Sequence, residues 1–331
     1  MGGQRVLVTG AAGFIGSHLV RRLAREGAQV IALDRADHRQ ALGRLAQISG
    51  AVEWHRVDLE HRRAIEALVR RLQPEAVFHL AGRVDLARSP EMTDACIREN
   101  TLATANLLWA LEGVPLRSLV FTSTSEVYGH NVAPFHEEQL VDPPSPYAIS
   151  KVAAEHFCRF FVAAHRYPIV TVRLSTVYGP HQAEARLIPS TILSILSASA
   201  LSVTSGEHRR DFLYIDDAVD GLIKAAAAPS AVGETINLGH EEAVSVREVI
   251  ERVRHLMGTD WSPAYGELVR INQPSVMCCK REKAERLLQW RPTVSLEDGL
   301  RATIEAYRVW PPSDAMVGEM SNAGCRMPNV K

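Results

Sequence analysis

The chain has 331 residues, is 46% hydrophobic and carries 37 basic against 38 acidic side chains, for a net charge of −1. That length and apolar content suffice for a large core, either one elaborated α/β domain or two closely packed lobes. The near-neutral balance argues against a nucleic-acid or membrane-surface partner, no apolar run is long enough to span a bilayer, and the five cysteines form neither a disulfide framework nor a zinc pattern. The expectation is therefore a reducing cytoplasm and no metal centre.

Arg5 to Thr9 is a short apolar run ending at a glycine, and it reads as a buried strand. Ile15, Leu19, Val20 and Leu23 then recur at helical spacing, and Gln29 to Asp34 reads as a second buried strand. The alternation continues with a strand over Val52 to Leu59, a helix over Ala64 to Leu72, and a strand over Ala76 to Ala81. A long helix follows from about Glu91 to Leu111, then a strand over Ser118 to Thr124, a helix over Pro146 to Ala164 and a strand over Ile169 to Leu174. Such repetition predicts a Rossmann-type doubly wound parallel sheet covered on both faces.

After Tyr178-Gly179-Pro180 the rhythm changes. Strands are expected at Leu201 to Thr204, Thr235 to Leu238 and Leu268 to Ile271, and late helices start at a Ser245/Glu248 capping box and a looser Ser295/Asp298 version. The predicted division is a dinucleotide-binding domain over 1–178 and a smaller mixed α/β substrate lobe over 179–310, partly interleaved with the first. Residues 311–331 lose all periodicity and are expected to form a disordered tail.

Gly10-Ala11-Ala12-Gly13-Phe14-Ile15-Gly16 follows a strand and opens a helix. In that context Gly10 allows a tight turn, Gly13 lets the backbone approach a pyrophosphate and Gly16 lets the helix pack on the sheet. The helix start, with Phe14 and Ile15, supplies free N–H groups and a positive dipole end. Asp34 ends the second strand where a ribose-binding acid is expected, which favours NAD over NADP, although Arg35 beside it is a basic group that suits a 2′-phosphate. Asp58, with Leu59 after it, ends the third strand and is expected against the adenine.

Tyr147 and Lys151 are one helical turn apart and share a face. A free phenol titrates at about 10 and is a poor base at neutral pH. A nearby ammonium and a positive nicotinamide ring favour its phenolate. Tyr147 is thus a candidate base for a hydroxyl proton, Lys151 its orienter and a ribose ligand, and Thr124 a hydrogen-bond partner of the same oxygen. His79, at a strand end near the cofactor, reads as a satisfied core histidine.

These segments resemble an extended short-chain dehydrogenase/reductase of the nucleotide-sugar epimerase/dehydratase group. The resemblance spans nearly the whole chain to about Tyr307. It is carried by T-G-A-A-G-F-I-G, His79-Leu80-Ala81, Asn100, T-S-T-S-E-V-Y-G (122–129), S-P-Y-A-I-S-K (145–151), V-Y-G-P and Arg209-Arg210-Asp211-Phe212. It implies tightly held NAD, with Leu80 and Ala81 also lining it, a nucleotide-diphosphate sugar as substrate, and a homodimer through the two long helices. It further implies that Thr124, Tyr147 and Lys151 oxidise the sugar C4 hydroxyl to a ketone, after which members diverge. Glutamate at position 126 is the residue that dehydratases and decarboxylases carry as C5 base, and the loop from Gly179 to Pro189 resembles that of 4,6-dehydratases. The signature of UDP-glucuronate decarboxylases around the tyrosine is absent. The reading is a 4,6-dehydratase with Glu126 as C5 base and Glu126 or Ser125 assisting water loss. Ser125 stands where some dehydratases have an aspartate, and Ser175-Thr176 where the family often has Phe-Asn. A T-V-Y-G-P segment also occurs in UDP-glucuronate 4-epimerases, so a 4-epimerase of the UDP-glucose or UDP-glucuronate type is the alternative, followed by a decarboxylase; a non-catalytic NAD-binding protein comes last. Thr176, Arg210 and Arg270 are the substrate residues the resemblance implies, the arginines on the diphosphate.

Overall fold

The computed structural model of the protein describes residues 1–36, 52–85, 89–269 and 272–309. Six early strands, β1 Arg5–Thr9, β2 Gln29–Asp34, β3 Val52–Arg56, β4 Ala76–His79, β5 Ser118–Thr124 and β6 Ile169–Leu174, join a late one, β10 Thr235–Leu238. All are parallel, in the order 3-2-1-4-5-6-10, which is the dinucleotide-binding order extended by one strand.

The strands are apolar runs because both faces are covered. Val6 and Val8 face one layer and Leu7 the other, as the two-residue period of a strand requires. On the second face lie α2 Arg62–Leu72, a composite α3 and α4 Pro146–His165, through Ile65, Leu107 and Phe161. On the first lie α1 Phe14–Arg25, through Leu19 and Leu23, and α6 Ile215–Ala227, through Ala218 and Leu222; α5 is Leu187–Leu196. The single long helix expected at 91–111 is this composite α3: Met92–Cys96, a π segment Ile97–Leu102, then Ala103–Ala110.

The smaller lobe is built on β9 Arg209–Tyr214, which pairs with β7 Thr176–Tyr178, β11 Ala243–Ser245 and β13 Val276–Met277. A short pair, β8 Ser202–Val203 and β12 Ala264–Tyr265, flanks it. Ser245 and Glu248 form a reciprocal capping box at the start of α7 Val246–Met257. Two further helices follow, α8 Glu282–Leu288 and α9 Leu296–Val309. Leu268 and Val269 are not in a strand, and Arg270, Ile271 and the expected tail lie outside the described residues.

Asp211 welds the lobe to the sheet. Its buried carboxylate accepts from the Ser175 hydroxyl and from the backbone N–H of His240, Glu241 and Cys279. Asp217, near the start of α6, likewise accepts from Thr293 and Val294, while Trp290 donates to its carbonyl.

Candidate active site

The glycine loop is forced by close backbone approach. Gly10 has φ +69°, and a Cβ there would stand 2.7 Å from the Ala81 nitrogen; one on Gly16 would stand 2.0 Å from the Gly10 carbonyl oxygen. Only glycine fits either place. The start of α1 has no side-chain cap and no acidic residue in its first turn, so its N–H groups and dipole present an anion site. Asp34 reaches back to this loop and accepts from the Ala12 N–H at 2.9 Å and the Ala36 N–H at 3.0 Å. Beyond it a pocket is lined by Arg35, Arg56, Val57 and Asp58. Asn106 on α3 donates to the Leu59 and Glu60 carbonyls, in the segment that follows Asp58. Turn, bare helix start, acid and pocket follow one another as the parts of a dinucleotide do, so the residues present fit that group.

On the other side of β1, His79 is 1% exposed and lies between the hydroxyls of Thr9 (2.7 Å) and Thr104 (2.9 Å). Burial, with Lys151 nearby, lowers its pKa to about 3, so it is a neutral core group. Asn100, in the π segment, accepts from the Arg83 N–H at 2.7 Å and donates to Ser150 at 2.8 Å, linking α3 to the turn between Tyr147 and Lys151. A π turn places a side chain where a regular helix cannot.

Helix α4 starts at Ser145, whose hydroxyl caps the Ala148 N–H, with Pro146 in the first turn. This rigid start sets Tyr147 and Lys151, 6% and 5% exposed. The Lys151 ammonium donates to the Thr122 carbonyl at 2.9 Å, and burial brings its pKa down to about 8. Burial pushes the Tyr147 phenol up to about 12, against a hydrogen bond to Thr124 that lowers it; Glu126 raises it further and Arg186 lowers it. The protein without its cofactor thus favours the neutral phenol, and the positive nicotinamide ring in the expected bias toward phenolate comes with the cofactor. Desolvation outweighs the pull of the Arg186 cation.

Strand β5 ends at Thr124 and passes at once into a 3-10 turn, Ser125–Tyr128, capped by the Thr124 hydroxyl on the Glu126 N–H at 3.2 Å. Ser125 and Glu126 are buried there, and both Glu126 and Arg186 act electrostatically on Tyr147. Thr176, half-buried on β7, pairs with Phe212, and half-buried Arg210 lies two residues earlier on β9 with a guanidinium hydrogen bond to the Arg209 carbonyl. Thr124, Glu126, Tyr147 and Lys151 therefore converge at the end of β5 and the start of α4, while Thr176 and Arg210 lie on the paired strands β7 and β9. Arg270 lies outside the described residues.

Two features were missed from the sequence. Arg186, at the start of α5, lies far from Tyr147 in the chain and no spacing joins them. Glu155, one turn beyond Lys151, was readable from that i+4 spacing: it is buried, takes a two-point ion pair from Arg173 (3.0 and 2.6 Å) and accepts the Ser123 hydroxyl.

The profile of the NAD dependent epimerase/dehydratase family matches residues 6–239. The chain is 32% identical to a UDP-glucuronate 4-epimerase of Thermodesulfobacterium geofontis, over 90% of this chain and 94% of that one. It is 32% identical to a probable dTDP-glucose 4,6-dehydratase of Sinorhizobium fredii, over 92% and 93%. The crystal structure of a Bacillus cereus UDP-glucuronic acid 4-epimerase with UDP-glucuronic acid and NAD superposes with a TM-score of 0.86 at 30% identity, covering 92% of this chain and 99% of that one. With a parallel sheet of dinucleotide-binding order and these matches along its length, the chain belongs to the NAD-dependent epimerase/dehydratase family, whose members act on nucleotide sugars.

Proposed function

We propose that the protein is a nucleotide-sugar 4,6-dehydratase. The observation that carries this is Glu126: a carboxyl group 7% exposed, close enough to the Tyr147 phenol to shift it, beside the end of β5. Tyr147 takes the C4 hydroxyl proton, Thr124 holds the same oxygen, and Lys151 keeps a positive charge beneath the site. NAD, held by the glycine loop and Asp34, would supply the acceptor and later the donor of the hydride, and a positive ring that favours the phenolate. The resulting 4-ketone acidifies C5–H. Glu126 takes that proton, and water leaves from C6 with a proton from Glu126 or Ser125. Hydride return to C6 and protonation at C5 complete a 4-keto-6-deoxy sugar.

In this reading Gly10, Gly13, Phe14, Ile15, Gly16, Asp34, Asp58, Leu59, Leu80 and Ala81 line the dinucleotide. Arg210 and Thr176 meet the substrate, and Arg186 adds a cation near the sugar. Incubation with UDP-, dTDP- and GDP-hexoses in D2O tests the assignment. A product lighter by one water with deuterium at C5 supports it; a product of unchanged mass with inverted C4 and no deuterium at C5 overturns it in favour of a 4-epimerase. That second reading draws on Thr176-Val177-Tyr178-Gly179-Pro180 and on the likeness to the Bacillus cereus epimerase.

Two further assignments belong to the proposal. Ile97 and Leu102 on α3, with Ile149, Phe157 and Phe160 on α4, are 41–55% exposed, and a second copy of the chain is the partner that covers them. Sedimentation of Phe160→Glu tests this: loss of a dimer supports it, and a monomeric parent chain overturns it. The free thiols of Cys96, Cys158, Cys278 and Cys279 suit a reducing cytoplasm; secretion of the full-length chain by its native cell would overturn that placement. No described helix is long and apolar enough to cross a membrane.

A further inference from the structure

Two arginines flank the glycine loop. Arg35 follows β2 and Arg83 follows β4, with β1 between these strands in the sheet. Both reach Glu99, in the π segment of α3. Arg35 Nη1 lies 2.9 Å from its carboxylate, and Arg83 donates through Nε at 3.1 Å and Nη2 at 2.9 Å. Asp85 stands 3.9 Å from the other Arg83 nitrogen, so the chain of charges Arg35–Glu99–Arg83–Asp85 is neutral overall. Glu99 is 14% exposed at its side chain, and both Arg83 contacts fall on its Oε1, which leaves Oε2 to Arg35.

Arg35 also lines the pocket beyond Asp34, together with Arg56, whose Nε donates to the Arg35 carbonyl. Guanidinium groups at the ends of β2 and β3 suit a 2′-phosphate on the adenosine ribose, and an arginine in that neighbourhood accommodates it in NADP-binding sites. Asp34 opposes such a phosphate by charge. Yet its two oxygens are already engaged by the Ala12 and Ala36 N–H groups, which offset part of its negative charge.

We infer that Glu99 is a cofactor-selectivity residue: by holding the Arg35 guanidinium it withholds that cation from a ribose 2′-phosphate and favours NAD+ over NADP+. This rests on the cofactor cradle proposed above. The sequence did not show it, because Arg35 alone argues for NADP, and only the folded π segment brings Glu99 across the loop to oppose it.

Calorimetric titration of the nucleotide-free full-length protein with NAD+ and with NADP+ tests the inference without any turnover. Glu99→Gln keeps hydrogen-bonding capacity but removes the charge, and it is expected to tighten NADP+ by about tenfold while moving NAD+ by less than about threefold. Adding Arg35→Ala to that variant is expected to remove the gain. An unchanged NAD+/NADP+ ratio in Glu99→Gln, or a gain that survives in the double variant, overturns the inference. Arg35→Ala alone keeps it falsifiable if the Glu99 variant does not fold: with Arg35 already occupied, its loss should change NADP+ binding by less than about threefold, and a drop of about tenfold would mean the arginine is free to hold a phosphate. Failure of the parent protein to bind NAD+ would instead overturn the cradle itself.

Discussion

Lys151 lies one helical turn from Tyr147, and its ammonium donates to the carbonyl of Thr122 at 2.9 Å. The lysine thus ties α4 to β5 two residues before Thr124, so the phenol, the threonine hydroxyl and the positive charge are set by one helix and one strand. Burial of the ammonium also shapes stability: a lysine folded at about 8 against an ordinary 10.5 lets the unfolded chain bind more protons between those values, so its contribution grows more favourable as pH rises through that window.

Tyr147→Phe removes the hydroxyl and leaves the ring, which packs in the same buried place. Turnover should fall by about 10²–10⁴ if the phenol is the C4 base. NAD+ affinity, measured by titration, should be retained. Turnover at the parent rate would remove Tyr147 from that role.

Glu126→Gln keeps size and hydrogen-bonding capacity at a buried position. C4 oxidation, followed as cofactor reduction in a single turnover, should persist. Exchange of the C5 proton with D2O should stop, with a loss of about 10²–10⁴ in dehydration. Normal C5 exchange would reduce Glu126 to a binding or structural residue.

His79 predicts an acid limb in the stability curve. Its folded pKa is about 3 and its ordinary value 6.5, so the unfolded chain binds the extra proton between them. The contribution is fully present above about 6.5 and is lost as pH falls toward about 3, by an amount on the order of a few kcal/mol. Urea midpoints for the parent and for His79→Gln, taken from pH 7 to pH 4, should diverge most at neutral pH and converge in acid. Parallel curves would show that His79 is not the titrating group.

The Glu155–Arg173 pair is 4% exposed on both sides, and the arginine also lies over the Tyr128 ring at 4.7 Å. Glu155→Ala or Arg173→Met leaves an uncompensated buried charge and should cost about 3–5 kcal/mol in chemical denaturation, while the double replacement should cost clearly less than the sum. Additive losses would show that the two groups do not act as a pair.

Much of this was legible because local signals agreed with the fold. The ends of β5, β6 and β10 coincide with apolar runs bounded by polar or glycine residues, and the Ser245–Glu248 box announced its helix. The glycine loop was legible for the same reason, since strand, turn, helix and acid stand in sequence. The π segment was not, because a widened turn leaves the apolar pattern of a helix almost unchanged. Glu99 and Arg186 were missed because their meaning lies in contacts with Arg35 and Tyr147, which distant strands bring near. The upward shift that burial gives the Tyr147 phenol was not legible, because a sequence shows the charges near a phenol but not the depth of its burial.

Strand β10 comes from the late half of the chain, yet it completes the sheet beside β6, and its Asn237 takes the Tyr128 hydroxyl at 2.9 Å and the Glu137 carboxylate on its N–H at 2.8 Å. A polypeptide cut after Tyr178 would therefore end with β6 as a bare hydrophobic edge, the kind of template that recruits other chains. During synthesis the sheet carrying the Tyr147 site stays open until residue 238 has left the ribosome. The two halves cannot be exchanged as cassettes between relatives: a graft that swaps the smaller lobe also swaps the last strand of the parallel sheet, and must match its register against Thr171 to Leu174.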